Sequence, residues 1–377
     1  MTEFLLLFFV FVGELGLAAV IYLAEAISKD YAVWTFFAVY FLQFITSTIQ
    51  GGISDHSLRK KSLLVAFNAV LIGQIFFILA FKHHYMLIGS IALYGFLGNI
   101  TPIARAALAD TELKDNFRLS VGLSTIAIAL GWVLMAFAAY YMPPFLGCLL
   151  VTVLCAACNL LVYYIKDPED KPTHKPFTIR GELSLITSIF KHPEIYWGLV
   201  GYLVAEIAFY QIFARGKGQV FNPEVRFIVT TWVFGYIIGA ILQHYLFRKG
   251  KENSGIKWGV FVSIISMMFL IVFTLYGFKN CILVGAINSS FALGFGFFIP
   301  CLFSIVSQRY KPHLQGKIYG LIDAVDSVAL MIAVAINHIP SRFSLMSLMI
   351  SSLILTIAAF FCFVMTIKQA QNGVNRD

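Results

Sequence analysis

Charge is what this sequence has least of. Asp, Glu, Lys and Arg make up 12% of its residues, about half of the roughly 25% found in soluble domains. With 59% hydrophobic residues beside it, that scarcity excludes a water-soluble globular fold. Long polar segments are missing too, and the longest, 166–193, is too short to form a soluble domain. There is no glycine-rich phosphate loop ending in lysine, so ATP is not the expected energy source. His, Asp and Ser groups do not cluster at one membrane face, so an integral-membrane lipid enzyme is not expected. Cysteines number only six, all in or beside apolar runs. Cys155-x-x-Cys158 has no histidine or carboxylate near it, so the pair reads as small packing residues, and neither a metal centre nor a cofactor is expected. The N-terminal run lacks a basic n-region and a small-residue cleavage site, and reads as a first membrane span.

What the chain does have is apolar length. A bilayer core of about 30 Å needs roughly 20 apolar helical residues, and twelve runs meet that requirement: 4–27, 31–53, 62–81, 85–109, 119–141, 144–165, 195–214, 226–247, 257–277, 281–307, 317–338 and 343–367. The expected fold is all-α, integral and multi-pass. The net charge of +8 is a topology signal and not a nucleic-acid footprint. With a cytoplasmic N-terminus, 19 of the 27 Lys and Arg fall in inner loops and tail, seven fall outside, and Arg105 lies in a span. That asymmetry is the positive-inside pattern. With an even number of spans it puts both termini in the cytoplasm, and a membrane of the bacterial inner (plasma) type is the expected location.

The chain also repeats itself. Gly51, Ile53, His56, Leu58, Lys60 and Lys61 meet Gly239, Ile241, His244, Leu246, Arg248 and Lys249 at an offset of 188. At the same offset Gly13, Leu15, Tyr22 and Ala26 meet Gly201, Leu203, Tyr210 and Ala214. Pro102 and Gly122 meet Pro300 and Gly320 at 198. The expected organisation is a six-helix bundle over 1–165, a cytoplasmic linker over 166–193 with a short surface helix near 182–190, and a second six-helix bundle over 194–377. Two such bundles form a known transporter plan, with the substrate bound near the midplane and exposed to each side in turn.

The segment from Gly51 to Leu63 resembles the motif between the second and third helices of the major facilitator superfamily, of the form G-x-L-a-D-r-x-G-r-k-x-x-l. Gly51, Ile53, Asp55, Arg59, Lys60 and Leu63 stand at matching positions, while His56 and Leu58 depart from the pattern. The resemblance in helix count, repeat and linker spans essentially the whole chain. It implies a secondary transporter in which this cluster latches the outward-facing state. Read physically, Gly51 allows close helix approach, Asp55 suits the amides at a helix N-terminus, and Arg59 and Lys60 can pair with Asp110 or with lipid headgroups. In the second copy Gln243 replaces the acid, so that latch is expected to be weaker. The fifth span lacks the glycine-proline cluster of the family's drug/proton antiporters, which lowers the efflux reading.

Ionisable groups within spans are costly and mark function. Glu14 lies midway along the first span, Glu206 midway along the seventh, and Asp323 and Asp326 share a face of the eleventh. A carboxylate in a low-dielectric site can alternate between neutral and charged forms, so these four are the candidates for a coupling proton. Arg105 reads as a gate or structural partner of Asp323 or Asp326, or as a ligand for an anionic substrate group. Gln43, Asn99, Tyr210, Gln211 and Asn288 could complete a binding site, with interhelical hydrogen bonding as the plainer role; Thr46 and Ser289 read the same way. The 37 phenylalanines are expected mostly to face lipid.

The function expected is alternating-access movement of a small organic solute, coupled to protons, in the uptake direction and by a monomer embedded in lipid. Proton-coupled efflux is the alternative. A transport-dead sensor with a carrier fold ranks lower.

Overall fold

The computed structural model describes residues 2–27, 29–111, 117–165, 187, 191–217, 223–247, 251–276, 280–308, 314–338 and 345–374. Among them the chain forms α1 (Thr2–Ile27), α2 (Lys29–His56), α3 (Arg59–Ala80), α4 (Met86–Phe96), α5 (Ile100–Asp110), α6 (Phe117–Tyr141) and α7 (Pro144–Leu161). A 3₁₀ turn (Val162–Tyr164) follows, and then come α8 (Pro193–Lys217), α9 (Pro223–Leu246), α10 (Glu252–Leu275), α11 (Cys281–Gln308), α12 (Gln315–His338) and α13 (Leu345–Val374). No described residue lies in a strand. In a bilayer, water cannot satisfy backbone amides, so the apolar runs must close their hydrogen bonds internally as helices. Among the described residues ten spans are long and apolar enough to cross a membrane, and α4 and α5 together make one of them (Met86–Asp110). The 25 residues of α8 and the 24 of α9 reach roughly 36 Å each at 1.5 Å per residue, which completes twelve. Apart from Thr187, the surface helix expected near 182–190 lies outside the described residues.

Two differences from the hydropathy reading matter. The charged clasp is largely helical: α2 runs through Gly51 and Gly52 to His56, and α3 resumes at Arg59, leaving only Ser57 and Leu58 between them. The fourth apolar run is broken at residues 97–99. Pro102 is the cause. It has no N–H to bond residue 98, and its ring collides with the carbonyl four residues back. Gly98 fits the resulting bend, packed against Tyr94 and Val70.

Breaking a helix in lipid leaves carbonyls without partners, and α2 supplies them. Thr46 Oγ1 lies 2.8 Å from the Gly95 carbonyl as well as 2.9 Å from its own Leu42 carbonyl, and Gln50 Nε2 donates to the Phe96 carbonyl. Pro300, the repeat partner of Pro102, sits inside an unbroken helix. The two halves have therefore diverged at that step.

The chain forms two compact units. The first comprises Met1–Lys114, Ala127–Ile179 and Tyr310–Ser327; the second comprises Asp115–Ile126, Arg180–Arg309 and Val328–Asp377. Each unit thus takes a short segment from the opposite half of the chain: the first part of α12 in one case, the first part of α6 in the other. In the first unit α1 packs on α2, α5 and α7, and α3 packs on α4 and α7. Tyr94 fills the space left by Gly16 and Gly73 and accepts a 2.5 Å hydrogen bond from Gln74 Nε2. In the second unit α11 packs on α9 and α10, and α8 packs on α13. Gly235, Gly239 and Gly296 bring α9 against α11 backbone to backbone, and Gly259 with Gly294 does the same for α10 and α11.

Among the described phenylalanines many are exposed, Phe4, Phe37, Phe41, Phe44, Phe234 and Phe361 among them, while others turn inward. Phe9, Phe67, Phe77, Phe291, Phe295, Phe298, Phe303 and Phe363 are fully buried. Phe209, Phe295, Phe298 and Phe363 form a chain of ring contacts through the second unit at 4.5, 4.7 and 5.3 Å. Phe363 packs against Gly201 and Phe247 against Gly255, where the missing side chain leaves room for a ring.

Candidate functional site

Two polar constellations lie in the first unit, and α12 takes part in both. The first surrounds Asp55 in the last turn of α2. Its Oδ1 accepts from the Gly316 amide (2.9 Å) and from Arg59 Nη2 (2.7 Å), and its Oδ2 accepts from the Lys317 amide (2.9 Å). These amides belong to the first turn of α12, where backbone donors have no helical partner and negative charge is favoured. Arg59 is 5% exposed and uses three nitrogens. Besides the bond to Asp55, its Nε donates to Asp110 Oδ2 (2.7 Å) and its Nη1 to Ser54 Oγ (2.5 Å). Lys60 goes elsewhere: its Nζ donates to the Tyr163 carbonyl (2.8 Å) and lies 5.1 Å from that ring's centre.

Glycine is required where these helices meet. A Cβ at Gly51 would fall on the Gly316 carbonyl. One at Gly316 would stand 2.6 Å from Asp55 Oδ1 and 2.7 Å from Arg59 Nη1. One turn on, Gly320 lies against the Ser47 backbone.

The second constellation holds two carboxylates and an arginine. Glu14 accepts from Thr101 Oγ1 at Oε1 (2.5 Å) and from Trp132 Nε1 at Oε2 (2.9 Å). Gly131 lets α6 approach α1 closely enough for that second bond, its position facing the Phe11 carbonyl and the Leu15 amide. Asp323 accepts at Oδ2 from Ser47 Oγ (3.0 Å) and from Asn99 Nδ2. Asn99 also donates to Ser47 Oγ (3.0 Å). Arg105 is buried on α5 and interacts electrostatically with both Glu14 and Asp323. Tyr40 on α2 interacts in the same way with Glu14, Asp323 and Asp326. Glu14, Asp323 and Asp326 are only partly buried.

Of the residues singled out by sequence, Glu14, Asn99, Arg105 and Asp323 come together here. Gln43 is buried beside them, and its backbone carbonyl shares the single Ser47 hydroxyl proton with Asp323. Glu206, Tyr210, Gln211 and Asn288 belong to the second unit. Glu206 is buried. Gln211 Oε1 accepts from Ser351 (3.0 Å) and Ser352 (3.1 Å), and the Tyr210 ring stands edge-on to Phe209. Asn288 donates to Val284 of its own helix (3.1 Å).

Sequence reading missed Ser47, Thr101, Trp132, Gly316, Lys317 and Gly320. The last three had a usable signal, because Gly316-x-x-x-Gly320 is a small-residue spacing that invites close helix contact.

At the acid's position the second copy of the clasp is uncharged. Gln243, the repeat partner of Asp55, is fully buried near Gly122 of α6, and its Nε2 has no hydrogen-bond partner among the described residues. Its Oε1 lies 3.6 Å from Cys301 Sγ, a long contact with a weak donor.

The family model described as Major Facilitator Superfamily matches residues 4–334. Among solved structures, the human organic anion transporter MFSD10 (TETRAN) is 12% identical with a TM-score of 0.77, covering 96% of this chain and 98% of that one. A bacterial homologue of the iron transporter ferroportin in an outward-facing state is 14% identical with a TM-score of 0.76, covering 98% and 100%. The E. coli fucose:proton symporter FucP, in a single-residue variant, is 13% identical with a TM-score of 0.70, covering 97% and 98%. None of the curated proteins matches the chain by sequence.

Proposed function

This chain belongs to the major facilitator superfamily, and from that premise we propose that it is a secondary active transporter taking up a small organic solute by alternating access, with protons as the coupling ion. The observation that carries the reading is the cluster of Glu14, Arg105 and Asp323. Two carboxylates and a buried arginine in apolar spans are costly to keep there unless they handle charge. Arg105 also suits an anionic group on the solute, because its planar guanidinium matches carboxylate and phosphate geometry. The working form is a monomer in a bacterial inner membrane, with both termini cytoplasmic and lipid headgroups at the basic inner loops.

A thermal-shift screen over amino acids, sugars, nucleosides and organic acids finds the solute, since a ligand at 100 times its Kd adds about 2.7 kcal/mol of stability. With that compound, an inward gradient across proteoliposomes is expected to acidify the lumen. Alkalinisation would mean exchange, and the efflux reading would replace this one. Neutralising all four acids together (Glu14→Gln, Glu206→Gln, Asp323→Asn, Asp326→Asn) is expected to abolish the pH change. Undiminished proton movement in that variant rules out coupling through these groups.

The α2–α12 contact is the proposed latch. Asp55→Asn leaves one oxygen to serve two backbone amides and Arg59, and removes the charge that makes such bonds strong. Turnover is expected to fall several-fold while the Kd of the screened solute stays within about twofold, because no bond to the solute is lost. An unchanged turnover would reduce the clasp to a topology signal.

A further inference from the structure

We propose that the solute carries a protonated amine, and that Asp323 and Gln43 receive it. This rests on the transporter reading above and names its substrate class. All of the residues concerned belong to the first unit.

Glu14, Asp323 and Asp326 all act on Tyr40, and Arg105 acts on Glu14 and Asp323. Three carboxyl groups are thus gathered beside one guanidinium among the described residues. Their hydrogen bonds are unevenly shared. Glu14 has a donor on each oxygen, Thr101 on one and Trp132 on the other. Both donors to Asp323 fall on Oδ2, and Oδ1 accepts from no described residue.

Gln43 is an independent sign of a missing partner. It is 4% exposed, yet no described residue hydrogen-bonds its side chain, whereas buried polar side chains are nearly always matched. Tyr40, Gln43 and Ser47 follow the three- and four-residue spacing of one helical stripe. Tyr40 at one end faces the three acids and Ser47 at the other bonds Asp323, so Gln43 points between them.

An ammonium brings three N–H donors and one positive charge. Asp323 Oδ1 and the Gln43 side-chain oxygen each accept one donor, and the charge balances a carboxylate that otherwise shares Arg105 with Glu14. Aromatic pairs flank the acids, Tyr22 with Trp132 at 5.7 Å and Phe36 with Tyr40 at 4.6 Å, and such rings suit an organic cation. A sugar hydroxyl would satisfy the lone pair but not the charge. A divalent metal ion needs about six ligands, and no group of three His, Cys, Asp or Glu among the described residues is placed to hold one. Arg105 remains for the anionic group considered above, so an amino acid offers both ends.

The test is a thermal-shift titration of the full-length protein at neutral pH. The panel contains amino acids, the amines left by removing their carboxylates, and the N-acetyl derivative of each, which keeps the body and loses the positive charge. At least one amine is expected to raise the melting midpoint, and its N-acetyl derivative to bind roughly tenfold more weakly or worse, the loss of a hydrogen bond to a charged group. Asp323→Asn keeps an acceptor for Ser47 and Asn99. It is expected to weaken the amine by a similar factor and to leave the N-acetyl compound within about twofold, so that acetylation no longer matters in that variant. Gln43→Leu is expected to weaken the amine several-fold. Equal binding of amine and N-acetyl compound by the wild type overturns the proposal. So does an Asp323→Asn variant that loses both alike, which would make the acid a structural support, and so does the absence of any shift from the amines at millimolar concentration. An amine that binds as expected but moves no protons in liposomes overturns the proton-coupled reading and leaves this site standing. An amine-free solute that acidifies the lumen overturns this inference alone.

Discussion

Arg59→Ala is expected to remove about 3–5 kcal/mol of stability, the cost of leaving a buried charge uncompensated. The substitution strands two carboxylates. Asp55 loses the 2.7 Å bond to Nη2 and Asp110 loses the 2.7 Å bond to Nε, while Ser54 Oγ loses its donor. Most point changes cost about 1 kcal/mol, so this one stands well outside the usual range. The readout is the yield of folded protein and the thermal melting midpoint in detergent. Arg59→Lys is expected to recover only part of the loss, because one ammonium cannot reproduce a planar fork serving three acceptors. Lys60→Ala, one position along, removes a partly exposed cation bonded to the Tyr163 carbonyl and is expected to change stability by less than about 1 kcal/mol. A melt for Arg59→Ala no lower than that of Lys60→Ala would show that water, and not Arg59, satisfies the two acids.

Gly235→Val is expected to be as damaging, through volume and not charge. A Cβ there would coincide with the Ser289 carbonyl oxygen and lie 2.7 Å from Ser289 Oγ. Both of the nearest atoms are backbone, so no side-chain rotation relieves the clash and α9 must move off α11. Overpacking typically costs 1–3 kcal/mol, and occasionally more; a forced separation of two backbones belongs at about the upper end of that range. Gly198→Ala is the matched control, since its nearest neighbour, Leu302 Cδ1, is 3.5 Å away, and it is expected to be neutral. Equal melting midpoints for Gly235→Val and Gly198→Ala would mean that the α9–α11 crossing tolerates expansion.

Hydrophobic length made the spans readable, because a bilayer imposes one thickness on every helix. The clasp was readable because acids and glycines near a membrane surface are rare enough to stand out. The break at residues 97–99 was not, since hydropathy ignores helix continuity and the apolar run passes straight through it. Its local signal was Gly98 with Pro102, and Pro300 shows why that signal is insufficient: the same residue type leaves α11 unbroken. Glu14, Arg105 and Asp323 could be picked out as rare charges. Their partners Ser47, Thr101 and Trp132 are common in apolar helices, and only tertiary packing selects them. Which phenylalanines turn inward was not legible, because apolar residues in a membrane chain look alike whether they face lipid or protein.

The interruption before α5 also has an electrical consequence. A continuous span carries its positive end at the membrane surface, where water and headgroups screen it. By stopping at Phe96 and restarting at Ile100, the fourth span sets a fresh helix N-terminus inside the apolar layer, next to the carboxylate that Asn99 contacts. Aligned peptide dipoles give such an end roughly half a positive charge. Arg105 therefore shares with the backbone itself the task of balancing Asp323, and part of the potential at that acid cannot be removed by changing any side chain other than Pro102.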